Sequence, residues 1–158
     1  MSKKTLLNQV KSHLDKLALK YEVDEENKNF YFSFEMVNTE VNVRIVCDTE
    51  NNRLFLSGFS SIKVPKDKQP AILEKINEIH WEDFYNAHLF INEETQCIMS
   101  FSVLYAMGVL HLEVFRETLY DISNIIDSRF KDLMQIIVNP DLCDMAMKIQ
   151  ERNGVLGN

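Results

Sequence analysis

The residues able to do chemistry in this sequence are few, and their spacing keeps them apart. Four histidines (His13, His80, His88, His111) and three cysteines (Cys47, Cys97, Cys143) are scattered over 158 residues. A zinc site draws its ligands as closely spaced pairs, so that one loop supplies two of them. Neither Cys-x-x-Cys nor His-Glu-x-x-His occurs, and no metal site is expected. His88 alternates with the apolar Ala87 and Leu89, which points it outward. A Cys/His catalytic pair could still meet in space, since such partners need not be neighbours in sequence. Cys143, beside Asp144, is the most exposed candidate thiol, yet no neighbouring residue would lower its pKa.

Three further groupings imitate sites. Asp48, Glu50 and Asn52 resemble the start of a calcium loop, which requires glycine at its sixth position and glutamate at its twelfth. Arg53 and Phe59 stand there instead, so a hairpin turn explains the acids. Lys63, Lys66 and Lys68 form a basic patch without a glycine-rich loop to cradle a phosphate, and read as a solvated loop. Glu82 and Asp83 follow Trp81, but adjacent side chains diverge and no conjugate acid or base partners them. They read as a polar loop. No catalytic residue and no cofactor is expected, and the chain reads as non-enzymatic.

The elements that would position any site follow from periodicity. Leu6/Leu7, Val10, Leu14, Leu17 and Tyr21 recur at helical spacing, and the polar run 24–29 ends that pattern. Phe30, Phe32, Phe34 and Met36 then alternate with Tyr31, Ser33 and Glu35, as in a half-buried strand. Val41, Val43, Ile45 and Cys47 repeat the alternation. After the turn formers 48–52, a third strand runs from Arg53 to about Ile62. Loops this short permit only an antiparallel meander. Pro65 and Pro70 bracket the start of a second helix, with Asp67 as a candidate cap and Ile72, Leu73, Ile76 and Ile79 as its apolar stripe.

That helix ends near Trp81. A second hairpin carries Ala87, Leu89 and Ile91, a turn over 92–95, then Cys97, Met99, Phe101 and Val103. Leu112, Phe115, Leu119, Ile122, Ile126, Phe130, Leu133 and Ile137 define a long helix, with Glu113, Glu117, Asp121, Asp127 and Lys131 on its other faces. It stops at Asn139-Pro140, because proline disfavours the α conformation in the residue before it. A short amphipathic tail helix (Leu142, Met145, Ala146, Ile149) closes the chain. The order is α-βββ-α-ββ-α-α: an α+β domain whose antiparallel sheet carries its helices mainly on one face.

Composition sets the class. With 46% hydrophobic and 26% charged residues and only 4 Gly and 3 Pro, residues 1–158 read as one globular domain. The formal net charge of −7 repels a phosphate backbone, so no nucleic-acid partner is expected. The charge is uneven, since Lys3, Lys4, Lys11, Lys16 and Lys20 face only Asp15 in the first twenty residues; a solvated helix face accounts for them. An odd number of scattered cysteines suits a reducing compartment. No run approaches the ~20 apolar residues that span a bilayer. A cytoplasmic protein with no membrane partner is the expectation.

The element order and its residues resemble the YbjN family of bacterial proteins, which is similar in fold to the type III secretion chaperones. The resemblance runs over nearly the whole chain. It is carried most strongly by Lys75-Ile76-Asn77, Leu89-Phe90-Ile91, Met99-Ser100-Phe101, Gly108-Val109-Leu110, the helix from Leu112 to Ile137, and Asn139. It implies a curved antiparallel sheet with helices against one face. The secretion chaperones are small, acidic, cytosolic and dimeric, and bind extended segments of partner proteins.

One surface stands out. If Leu54 and Leu56 face the helices, Phe55 and Phe59 point to the other side of the sheet, and the same parity sends Tyr31, Phe90, Ile98 and Leu104 outward. Ser33, Glu35, Ser57, Ser100 and Ser102 dilute this apolar face. Tyr31, Phe55, Phe59 and Phe90 are therefore the candidate partner-binding residues, serving either a homodimer or a protein partner. The reading is an interaction module, chaperone-like or regulatory, that uses a sheet face or edge. The alternatives are a small-ligand-binding protein or enzyme with a site assembled from dispersed residues, and a structural subunit of a larger assembly.

Overall fold

The computed structural model describes residues 5–138. Helix α1 (Leu6–Lys16) starts at Thr5, whose hydroxyl accepts the Asn8 N–H. It buries Leu6, Val10 and Leu14. The expected continuation to Tyr21 fails, because Ala18 takes a left-handed φ of 55° and turns the chain out of the helix. Tyr21 instead leads into a short strand, β1 (Glu22–Asp24), where the sequence had indicated only a loop. Strands β2 (Asn29–Glu35), β3 (Glu40–Asp48) and β4 (Arg53–Lys63) form the antiparallel meander.

A 3-10 turn (Lys66–Lys68) precedes helix α2 (Gln69–Glu82). Asp67 lies within that turn, and no side chain caps α2, so the expected cap is corrected. Strands β5 (His88–Ile91) and β6 (Cys97–Tyr105) form the second hairpin, and helix α3 (Leu112–Val138) follows. The expected tail helix lies outside the described residues. The six strands are antiparallel in the order β1-β2-β3-β4-β6-β5.

All three helices pack on one face, as expected. Ile72, Ile76 and Ile79 of α2, and Phe115, Leu119, Ile122, Ile126 and Leu133 of α3, share one core with Phe30, Val43, Ile45, Leu54 and Leu56. Leu73 departs from the expected stripe of α2 and is exposed. The parity of β4 is as expected, with Leu54 and Leu56 inward. That of β6 is reversed: Ile98 and Leu104 are buried inward, while Met99, Phe101 and Val103 turn out beside Phe59, Ser57 and Phe55.

The reversal has a steric cause. Ser100 and Ser102 lie inward opposite Gly58 and Leu56, and these small residues let α3 approach the sheet. Ser100 Oγ donates to the Ile122 carbonyl at 2.5 Å. A Cβ on Gly58 would meet that carbonyl at 3.0 Å and collide with Ser100 Oγ. Asp127, on another face of α3 as expected, is buried. Its carboxylate accepts the Asn38 and Thr39 N–H groups at 2.7 and 3.0 Å and so pins the β2–β3 turn to α3.

Candidate partner-binding surface

The outer face of the sheet is built row by row from outward side chains. Tyr31 lies beside Arg44, then Ser57, Phe101 and His88 across the strands. One pleat along, Ser33, Asn42, Phe59, Met99 and Phe90 stand in register, and on the other side Val46, Phe55 and Val103 do. Phe55 stacks on Phe101 with centroids 6.1 Å apart, and the Arg53 guanidinium lies 4.9 Å from the Phe55 ring centre. Arg53 also donates to Asp48 at 2.7 Å, a bond that holds the carboxyl below its ordinary range, behind the larger effect of the Asn51 side chain.

Phe55, Phe59, Phe101 and Val103 belong neither to the core nor to the partly buried groups packed against it. Tyr31 and Phe90 are more exposed still. Tyr31, Phe55, Phe59 and Phe90 thus all sit on the outer face. Tyr31 and Phe59 line a common groove of about 540 Å³ with Lys20, Ser33, Asn42 and Arg44. Phe55 and Phe90 lie outside that groove.

The sequence reading named a sheet face or edge without saying which edge, and an open one lies beside the groove. β1 pairs only with Asn29–Tyr31, so among the described residues no strand pairs with the outer side of Phe32–Glu35. The Cys47 N–H to Lys28 C=O and Met36 N–H to Thr39 C=O bonds fix which backbone groups face β3. They are those of the even-numbered residues, so Ser33 and Glu35 direct theirs to the open side. On the helix side of the same edge, Leu17, Leu19, Phe34, Met36, Leu119 and Tyr120 enclose a second cleft of about 240 Å³. Phe34 and Met36 signalled apolar character in the sequence. Only the register reveals that β1 stops short of them.

At the opposite edge, His80 Nε2 of α2 accepts the outward Leu89 N–H of β5 at 2.8 Å. The Glu82-Asp83 pair is explained here too. Arg129 of α3 bonds Asp83 through two nitrogens at 2.8 and 2.6 Å and reaches Glu82 at 3.1 Å. This clamp holds the Asp83 carboxyl below its ordinary range, and the same bond raises Arg129. These acids anchor the exit of α2 to α3. Among the described residues, no three His, Cys, Asp or Glu side chains are grouped to hold a metal ion. No described helix is long and apolar enough to cross a membrane. Burial pushes the Cys47 thiol up to about 12, so it behaves as a small hydrophobe.

Six antiparallel strands with three helices on one face constitute the type III secretion chaperone-like fold expected from the sequence. Solved structures share it, and three of them are compared with it. A chain of the ExsC–ExsE complex superposes with a TM-score of 0.61 at 20% identity, covering 81% of this chain and 92% of that one. YbjN from E. coli, a suggested transcription regulator, gives 0.58 at 14% identity, covering 80% and 92%. A chain of the HopA1–SchA chaperone–effector complex gives 0.52 at 13%, covering 78% and 93%. No family model matches the chain, and no curated protein matches it. At these identities the likeness establishes the fold.

Proposed function

We propose that this chain is a non-enzymatic interaction module, chaperone-like or regulatory. It binds an extended segment of a partner protein along the edge of β2 and the adjoining outer face of the sheet. The observation that carries this reading is the open edge at Ser33 and Glu35, set between the mixed polar and aromatic outer groove and the apolar cleft on the helix side. An added strand would bond to those outward backbone groups. Its alternate side chains would enter the groove beside Tyr31 and Phe59 on one face and the cleft beside Leu17 and Phe34 on the other. Main-chain bonds then supply affinity, and the clefts supply selectivity. Phe55 and Phe90 extend the contact across the outer face. The fold shared with a chaperone–effector complex supports this reading, and the acidic, cysteine-poor composition fits a cytoplasmic role.

A displayed library of random peptides tests it, since the main-chain bonds of an added strand are open to any extended sequence. Selected binders are expected to shift the backbone amides of Ser33 and Glu35 in NMR spectra. Ser33→Pro removes one outward N–H, on an edge where proline is tolerated, and is expected to weaken binding at least about tenfold. Phe55→Asp is expected to weaken it too, with thermal stability nearly unchanged, because that ring lies outside the core. Binders that ignore both substitutions and leave those amides unshifted would overturn the reading.

A further inference from the structure

The polar side chains around the outer groove turn their acceptors to one another and leave donors over. Ser33 Oγ donates to Asn42 Oδ1 at 2.5 Å, and the Asn42 Nδ2 hydrogens have no partner among the described residues. Asn29 Nδ2 donates to the Tyr31 hydroxyl oxygen at 3.2 Å, which leaves the Tyr31 O–H to donate. Lys20 and Arg44 are donors by nature. Neither forms an ion pair among the described residues. Lys20, Tyr31, Asn42 and Arg44 line this one groove together with Phe59. Tyr21, the other hydroxyl in the lining, donates to Asp15 of α1. Glu22 is the single carboxylate in the lining, against two cations. On a chain of net charge −7, this gathering of donors fits a group that only accepts.

The geometry points to a carboxylate on the bound partner segment, an Asp or Glu side chain seated among Lys20, Tyr31, Asn42 and Arg44. This inference rests on the β2 edge being the partner site, and adds the residue type that the edge selects. A segment pairing antiparallel with β2, as every other strand of the sheet pairs, places successive residues opposite Glu35, Phe34 and Ser33 in that order. The residue opposite Ser33 shares its outer face and enters the groove. The residue before it turns to the helix side, into the cleft of Leu17, Phe34, Met36 and Leu119. The residue before that stands beside Glu35 and Glu40, which face each other in register. A carboxylate there is repelled, so the acid is accepted opposite Ser33 and refused opposite Glu35. The motif is an apolar residue followed at once by an acidic one. Charge complementarity of this kind gives selectivity among extended segments that the main-chain bonds alone would not distinguish.

A carboxylate fits this groove better than a phosphate does. Glu22 shares the lining and opposes a dianion more strongly than a single charge. No helix N-terminus and no glycine-rich loop stands among the lining residues to supply the backbone donors that phosphate sites use.

Peptides selected from a displayed random library against the whole chain are expected to carry Asp or Glu directly after an apolar residue. Replacing that acid by its amide is expected to weaken binding about fivefold, with the difference shrinking as salt is raised. Lys20 and Arg44 are both exposed, so a double variant carrying Lys20→Gln and Arg44→Gln is expected to keep the far-UV circular dichroism of the native chain. It should bind the acidic peptide about fivefold more weakly and the amide version unchanged. Lys20→Glu with Arg44→Glu is expected to invert the preference, toward lysine in place of the acid. Binders that shift the Ser33 and Glu35 amides in NMR spectra, yet show no acidic preference or keep it in the double variant, overturn this inference and leave the β2 edge standing as the partner site. Binders that leave those amides unshifted overturn both. Tighter binding of a phosphoserine version of the same peptide would assign the groove to phosphorylated segments and overturn the carboxylate.

Discussion

At the residue scale, His80 shows how one side chain can make stability depend on pH. Its Nε2 accepts the Leu89 N–H only while unprotonated. Partial burial lowers its pKa, and the nearby His88 ring, 5.4 Å away, lowers it further. A folded-state pKa below the unfolded one means that protonation favours the unfolded chain. The contribution is therefore complete above the unfolded value of about 6.5 and is lost as pH falls through the lower folded value. His80→Gln keeps an acceptor within reach but cannot titrate. The native chain is expected to lose more stability than this variant between about pH 7.5 and pH 5, measured by urea denaturation. An equal loss in the two would mean that the Leu89 bond does not depend on the charge of His80.

At the element scale, α3 decides how the sheet is read. Ile122 is fully buried, its carbonyl is held by Ser100 Oγ, and its helix passes directly over Gly58. Ile122→Ala is expected to cost about 2–5 kcal/mol, through lost transfer energy and the cavity left against a rigid sheet. A loss under ~1 kcal/mol in chemical denaturation would show that the site collapses around the change. The stripe containing Ile122 was legible because eight apolar residues kept helical spacing without interruption. Strand β4 was legible as well, since Leu54 and Leu56 fix one face and leave Phe55 and Phe59 to the other. Strand β6 was not, because Ile98 and Leu104 compete with Met99, Phe101 and Val103 for the inward side. Only the need for small residues beneath α3 settles that parity, and it arises from a contact distant in sequence. Asp127 was missed for the same reason: its partners, Asn38 and Thr39, lie 89 and 88 residues away.

At the scale of the whole molecule, the candidate site depends on elements that are far apart in sequence. The outer groove takes Lys20 from the segment before β1, Tyr31 from β2, Arg44 from β3 and Phe59 from β4. The cleft on the helix side takes Leu17 and Leu19 from the segment after α1, Phe34 from β2 and Tyr120 from α3. Composition and alternation could identify the aromatic residues on these surfaces, but the open edge between them exists only because β1 ends after three residues. Gln9 and His13 of α1 tie that helix to Leu110, at the entry to α3, with bonds of 2.7 and 2.5 Å. Asp127 ties the far part of α3 to the β2–β3 turn, and Arg129 ties it to the exit of α2. The N-terminal helix and meander therefore have no core separate from that of the second hairpin and α3. Unfolding is accordingly expected as one cooperative transition, with far-UV and near-UV circular dichroism superimposing across a urea titration. Trp81 is a poor probe of that transition, because it is already in solvent before the chain unfolds. The tyrosine and phenylalanine bands report it instead, since Phe30 and Phe115 are fully buried. Two separated transitions would mean that α1 and the meander form a unit able to open by itself, and the β2 edge would then be too weakly held to template a partner strand.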